Sequence, residues 1–304
     1  MIVFVAPGQG SQTPGFLEPW IADPATRELV AGWSEAIGVD LIAHGTVSDA
    51  DTIRDTAIAQ PLIVAAGLLT ARALRAAGVE IGAVAGHSVG EVTAAAVAGV
   101  LSEADALAFV RTRALAMADA AAAVPTGMSA VLGGDPDAVV EHISAFGLEP
   151  ANYNGGGQIV VAGELDALAR LSEDPLRGTR VVPLQVAGAF HTRFMAPARE
   201  ALREKASGFT VSDPAITLWS NKDGSVVASG AQFIDLVVGQ VANPVRWDLD
   251  MEAFAAAGVT GLVEFAPAGA LVGLAKRGLK GVPAVAIKTP DDIAVAAELT
   301  AGTA

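Results

Sequence analysis

Two short apolar runs stand out along the chain. Residues 1–6 (MIVFVA) and 82–85 (GAVA) carry no polar side chain, and each leads into a turn that contains glycine. An amphipathic strand would alternate. An unbroken apolar run of this length suits a strand buried on both faces, as in a parallel sheet covered by helices. Between them, residues 60–77 (QPLIVAAGLLTARALRAA) predict a helix, with Gly78 as its stop. A second helix is predicted over 103–122. Strands alternating with helices predict an α/β architecture.

The texture changes near residue 126. Short strands are predicted at 128–132, 149–154, 158–162 and 180–185, with helices at 135–145 and 164–172 between them. That β-α-β-β-α-β order is the ferredoxin-like arrangement. Residues 126–187 therefore read as a small inserted subdomain, with 1–125 and 188–304 forming the large one. The large part resumes with a strand at 215–220, a helix at 230–241, a strand at 261–265 and a last helix at 270–279. No internal repeat or low-complexity linker is visible.

Composition narrows the function. Apolar residues make up 52% of the 304, and alanine supplies much of that share, so the core is expected to be built from small side chains. The formal charge of −14 argues against nucleic acid and against an anionic membrane surface, since both call for clustered Lys and Arg. The absence of cysteine excludes disulfides, thiolate-held metals and thiol nucleophiles. The first residues lack the basic segment of a signal peptide. The longest apolar stretch, around 83–101, is interrupted by His87, Ser88 and Glu91. A soluble, cytoplasmic, monomeric protein is the expectation.

The chemistry begins at AGHSVGEV, residues 85–92. The pattern G-H-S-V-G fits a nucleophile elbow, in which a serine stands on a sharp strand-to-helix turn with its hydroxyl exposed. An apolar strand before it and a helix-forming run after it supply the required context. A plainer reading stays open: Ser88 as a helix N-cap, with Glu91 three residues on completing a capping box. A nucleophilic serine needs a base, and the chain has four histidines. His87 adjoins Ser88 and points elsewhere on an elbow. His44 lies in a polar, loop-like stretch, and His142 lies on a helix of the small subdomain; both read as surface residues. His191, in GAFHTRF, remains as the base. The order serine then histidine fits an α/β hydrolase, but the acidic third member is missing, because Asp166 and Asp174 fall in the inserted part.

Taken together, five motifs resemble the malonyl-CoA:acyl carrier protein transacylases. They are GQGSQ at 8–12, GHSVGE at 86–91, Arg113, GAFH at 188–191 and QVANPVRW at 240–247. The resemblance covers nearly the whole chain. It implies an α/β-hydrolase-like large subdomain with a parallel sheet and an inserted ferredoxin-like small subdomain. It also implies that Ser88 is the nucleophile and His191 its base and acid, oriented by the main-chain carbonyl of Gln240. The oxyanion hole would be the main-chain N–H groups of Gln9 and Val89. GQGSQ is no dinucleotide fingerprint, since its last glycine is absent.

By the same resemblance Arg113 would hold the free carboxylate of a malonyl group, because a guanidinium fork binds a carboxylate through two parallel hydrogen bonds. Otherwise an arginine on that helix would be solvated. Phe190 resembles the malonyl-selecting version of its motif, where a ring crowds an α-methyl branch. Met117 reads either as pocket lining or as core. Asn152 and Asn154 read either as ligand contacts or as an Asx-type turn before the glycines. Lys276, Arg277 and Lys280 are the densest basic cluster. They read either as a docking patch for an acidic carrier protein or as cations complementing a helix C-terminus.

The implied reaction moves malonyl from malonyl-CoA to the phosphopantetheine thiol of acyl carrier protein through a malonyl-serine, supplying fatty-acid synthesis, with no metal or redox cofactor. The alternatives are a serine thioesterase or hydrolase, which needs no Arg113, an acyltransferase dedicated to polyketide synthesis, and a carrier-binding scaffold without activity.

Overall fold

The computed structural model describes residues 1–302. Strand β1 (Ile2–Ala6) is buried throughout. Helices α1 (Pro24–Ile37), α2 (Leu41–Thr46) and α3 (Thr56–Ala76) follow, then strand β2 (Ala83–Gly86), also fully buried, and helices α4 (Gly90–Val97) and α5 (Glu103–Ala123). The next segment holds β3 (Thr126–Leu132), α6 (Pro136–Ser144), β4 (Glu149–Gly155), β5 (Gln158–Glu164), α7 (Leu165–Glu173) and β6 (Arg180–Pro183). The chain ends with α8 (Ala196–Ala206), β7 (Thr217–Leu218), α9 (Gly230–Gln240), α10 (Trp247–Ala256), β8 (Gly261–Glu264), α11 (Ala270–Gly278), β9 (Ala284–Ala286) and α12 (Ile293–Ala301).

Among the described residues the strands form two sheets. One has five parallel strands in the order β7-β2-β1-β8-β9. Successive side chains of β1 point to opposite faces. Phe4 and Ala6 join the core packed by α3, α4 and α5, whereas Val3 and Val5 join Phe254 of α10 and Leu271 of α11. Both faces are covered, which accounts for the unbroken apolar runs. From central β1 the chain first builds outward to β2 and later crosses to β8. Open α/β sheets bind ligands at such a switch point, beyond the carboxyl ends of the strands.

The second sheet is antiparallel, in the order β4-β5-β3-β6, with α6 and α7 on one face. Val131, Ile159 and Val161 pack into that helical side. Met128, Ala130 and Val160, which alternate with them, face a cavity between the two sheets. The edge strand β4 continues its pairing into the large part: Tyr153 N–H donates to the Val245 carbonyl at 2.8 Å, and Val245 N–H donates to the Ala151 carbonyl at 2.9 Å.

The α/β class expected from the sequence is the one found, but several elements differ. Helix α3 begins at Thr56 rather than at 60, because the Asp55 side chain caps it by accepting from Ala57 N–H. This helix is long and apolar enough to cross a membrane by length and composition, and 78% of that stretch is buried inside the fold. His44 sits on helix α2, not in a loop. The helix at Ala270–Gly278 is not the last, since β9 and α12 follow it.

Candidate active site

Ser88 stands between β2 and α4 with φ 54°, and His191 has φ 62°. Among the described residues these are the only non-glycine positions with positive φ. A left-handed backbone costs a side-chain-bearing residue roughly 1–2 kcal/mol, and such strain collects at functional sites. The elbow is held by close approaches. A Cβ on Gly90 would lie 2.1 Å from the Ala6 carbonyl oxygen, and one on Gly86 would lie 2.1 Å from the Gly90 carbonyl carbon. Glycine is therefore required where α4 starts against β1.

The capping-box reading is overturned. Ser88 does not cap α4; the N-cap position is Val89, and no side chain caps it. Glu91 does not reach back to the Ser88 main chain. It is 1% exposed and turned into the interior, where it accepts from Asn221 and Gln240.

Ser88 Oγ and His191 Nε2 are 2.7 Å apart. His191 Nδ1 lies 2.9 Å from the Gln240 carbonyl oxygen. A carbonyl only accepts, so Nδ1 carries the proton and Nε2 offers its lone pair to the Ser88 hydroxyl. Burial, with the Arg113 charge adding to it, pushes His191 down from 6.5 to about 3. The imidazole is neutral at physiological pH, as a general base must be.

Arg113 comes from α5 and is fully buried. Its Nη1 donates to Gln60 Oε1 and its Nη2 to Gln240 Oε1, both at 2.7 Å, and Nη2 also lies 3.4 Å from Ser88 Oγ. Its Nε has no partner. Burial lowers Arg113 to about 10, so it stays a cation. The solvated-arginine alternative is thereby excluded for this side chain.

The cavity of about 410 Å³ is lined by Ser88, His191 and Gln60; Arg113 lies behind them and is not part of its wall. Gln9, Ser88 and Val89 line it from the large part. The Gln9 side chain donates to the Arg54 carbonyl and Thr56 Oγ1, each at 3.3 Å. Gly8 permits a close approach to His87, since a Cβ there would lie 2.9 Å from His87 Nδ1. Phe190 and Met117 are both buried and both line the wall, and Met117 sulfur accepts from Gln60 Nε2 at 3.4 Å.

Asn152 and Asn154 also line the cavity. The Asn154 side chain accepts from His87 Nε2 at 2.9 Å and donates to Gln158 Oε1 at 3.1 Å, contacts beyond those of a local turn. His87 rests edge-on against Trp247 beneath the elbow. The other two histidines bond elsewhere, His44 to Ser48 and His142 to the Asp174 carbonyl. Lys276, Arg277 and Lys280 are exposed, and of these Arg277 reaches the cavity wall.

Sequence reasoning missed Gln60, Asn221 and the inward turn of Glu91. The available signal was an acid in the otherwise apolar run GEVTAAAV. Such a residue is more unusual buried than capping.

Residues 3–297 match the acyl transferase domain family. A malonyl CoA-acyl carrier protein transacylase of Mycobacterium tuberculosis strain H37Rv is 51% identical over 297 residues, 96% of this chain and 98% of that protein. The crystal structure of a Mycobacterium tuberculosis MCAT superposes with a TM-score of 0.92 at 50% identity, covering 96% of this chain and 98% of that one. A malonyl-transacylase solved in complex with a type II PKS acyl-carrier protein superposes with a TM-score of 0.92 at 30% identity, covering 98% and 99%.

Proposed function

This chain belongs to the malonyl-CoA:acyl carrier protein transacylases of the acyl transferase family, and on that premise we propose that Ser88, His191, Gln240 and Arg113 carry out its reaction. The enzyme transfers malonyl from malonyl-CoA to acyl carrier protein. His191 Nε2 takes the Ser88 proton as Oγ attacks the thioester carbonyl. The resulting oxyanion is received by the main-chain N–H groups of Gln9 and Val89. The C–S bond breaks, and the departing CoA sulfur takes the proton from His191. In the second half the carrier's phosphopantetheine thiol gives its proton to His191 and attacks the malonyl-serine. Oγ then leaves and recovers a proton. This is ping-pong covalent catalysis.

The observation that carries the reading is the 2.7 Å Ser88–His191 pair, anchored on the Gln240 carbonyl and set beside a buried cation. A carbonyl fixes the tautomer without adding negative charge, so no acidic third member is needed. Arg113 serves as the clamp for the malonyl carboxylate, and Phe190, Met117 and Asn154 shape the rest of the acyl site. Lys276, Arg277 and Lys280 form the docking patch for the carrier. Residues 126–187 act as a unit inserted between 1–125 and 188–304, and the cleft between them keeps water from the acyl-serine. The protein works in the cytoplasm as a monomer and supplies fatty-acid synthesis. A polyketide role is the second reading, favoured by the relative bound to a type II PKS acyl-carrier protein.

Intact-mass measurement after mixing with malonyl-, acetyl- and methylmalonyl-CoA tests the proposal. A malonyl adduct is expected, absent in Ser88→Ala and no longer preferred over acetyl in Arg113→Ala. Steady CoA release without carrier would instead mark a hydrolase.

A further inference from the structure

Behind the Ser88–His191 pair lies a buried carboxylate that the reaction above does not use. Glu91, in the first turn of α4, is 1% exposed. An unpaired charge there would be very costly, so its partners decide its role. Oε1 accepts from Asn221 N–H at 2.8 Å, and Oε2 accepts from Gln240 Nε2. A main-chain N–H and an amide NH2 are donors only, a set that fits the ionised carboxylate. Burial works the other way and raises Glu91 to about 7, against the pull of these bonds and of Arg113.

Gln240 is the link. Its NH2 group faces three acceptors: Glu91 Oε2, the Ser88 carbonyl at 3.0 Å and Asn221 Oδ1 at 3.2 Å. Asn221 is itself oriented by its Nδ2, which donates to the Gly86 carbonyl at 2.9 Å. With its nitrogen end enclosed in this way, the Gln240 oxygen end faces Arg113. Carboxylate, amide and guanidinium thus run in line, with opposite charges at the two ends. The hydrogen-bond partners of Arg113 are all neutral, namely Gln60, Gln240 and Ser88. Glu91 supplies the nearby negative charge.

We propose that Glu91 is a positioning residue for acyl selection: through the Gln240 amide it fixes the Arg113 fork and keeps that cation balanced until a substrate carboxylate arrives. The inference deepens the reading of Arg113 as a carboxylate clamp and rests on it. Its sharpest consequence concerns Glu91→Gln. Asn221 N–H demands an oxygen, so the new amide must turn its NH2 toward the Gln240 NH2. Two donors then oppose each other. Gln240 has to flip, and Arg113 meets an NH2 group in place of an acceptor while losing its counter-charge.

Single-turnover acylation by malonyl-CoA and acetyl-CoA tests this. In Glu91→Gln the malonyl-over-acetyl ratio of kcat/KM is expected to fall about tenfold or more, the scale of a hydrogen bond to a charged group, with KM for malonyl-CoA rising. Glu91→Asp, which keeps the charge, should recover part of the preference. Equal loss for both acyl groups with unchanged KM values would mean a role in folding alone and would overturn the proposal. Should Glu91→Gln not fold, Glu91→Ala removes the carboxylate while leaving Gln240 Nε2 its contacts to the Ser88 carbonyl and Asn221 Oδ1. It is expected to fold and to lose malonyl preference. A Glu91→Ala variant that keeps the preference, or cannot fold, also counts against the proposal. Arg113→Ala separates the two claims. If it leaves malonyl preference intact, the clamp reading fails. If it abolishes the preference while Glu91→Gln retains it, only the present inference fails.

Discussion

His191 carries the pH dependence at the residue scale. Its proton affinity lies near pH 3 in the fold against 6.5 for a free side chain, chiefly because the ring is buried. Single-turnover acylation by acetyl-CoA, which has no carboxylate for Arg113 and so does not call on the Glu91 charge, is therefore expected to stay flat as pH falls from neutrality past 6.5. An acid limb centred at 6.5 would contradict a buried neutral base. Stability follows the same shift. Between those two values the unfolded chain binds a proton at His191 that the folded chain does not. Folding is favoured fully above pH 6.5 and loses that share as pH falls toward 3. Glu91 has the opposite sign: raised from 4.5 to about 7, it favours the fold at low pH and withdraws that share as pH rises through the interval. Urea midpoints should separate the two. Wild type is expected to lose more on going from pH 7 to pH 5 than His191→Gln does, and equal losses would show that the imidazole is not held neutral.

At the scale of elements the elbow makes the sharpest claim. The pattern G-x-S-x-G is visible in the sequence, but the reason for its second glycine is not. That reason is the Ala6 carbonyl, brought beneath α4 by the pairing of Ala6 with Gly86 in the parallel register of β1 and β2. Gly90→Ala should cost roughly 3 kcal/mol or more, the upper range for overpacking against a rigid neighbour. Gly32→Ala, in the middle of α1 with open space around its Cα, should instead stabilise by roughly 0.5–1 kcal/mol. Thermal melts of the pair check both signs. Similar melts for the two variants would remove the packing account. The same contrast explains which elements the sequence disclosed. Runs such as 1–6 declare themselves because a doubly buried strand has no polar position. Helix α10 hides Trp247, Met251 and Phe254 among acids, and β9 is three half-buried residues, too short to set a period. Ser88 and His191 were legible because a motif and a count of four histidines isolated them. Glu91 was not, because a surface cap and a buried acceptor share the same spacing from Ser88.

At the scale of the whole molecule, the proposed docking patch is a local exception to the net charge. The total is −14, while Lys276, Arg277 and Lys280 are exposed together at the end of α11. That helix bridges the two sheets: Leu271, Leu274 and Ala275 pack into the large core, and a Cβ on Gly156, beside β4, would lie 2.6 Å from Arg277 Cβ. The basic cluster thus borders the cavity that a carrier's arm would enter. Of its members Arg277 reaches the cavity wall, so altering it disturbs binding of either thioester. Lys276 and Lys280 stand off the wall and isolate docking. Reversing both with Lys276→Glu and Lys280→Glu is expected to raise KM for the carrier roughly threefold or more at low salt while leaving KM for malonyl-CoA alone, because complementary surface charge mainly governs encounter. The effect should shrink as added salt screens the exposed charges. Arg277→Glu should raise both KM values. If reversing the two lysines raised both equally, or the carrier effect ignored salt, the cluster would be a helix terminus complemented by cations and the carrier would dock elsewhere.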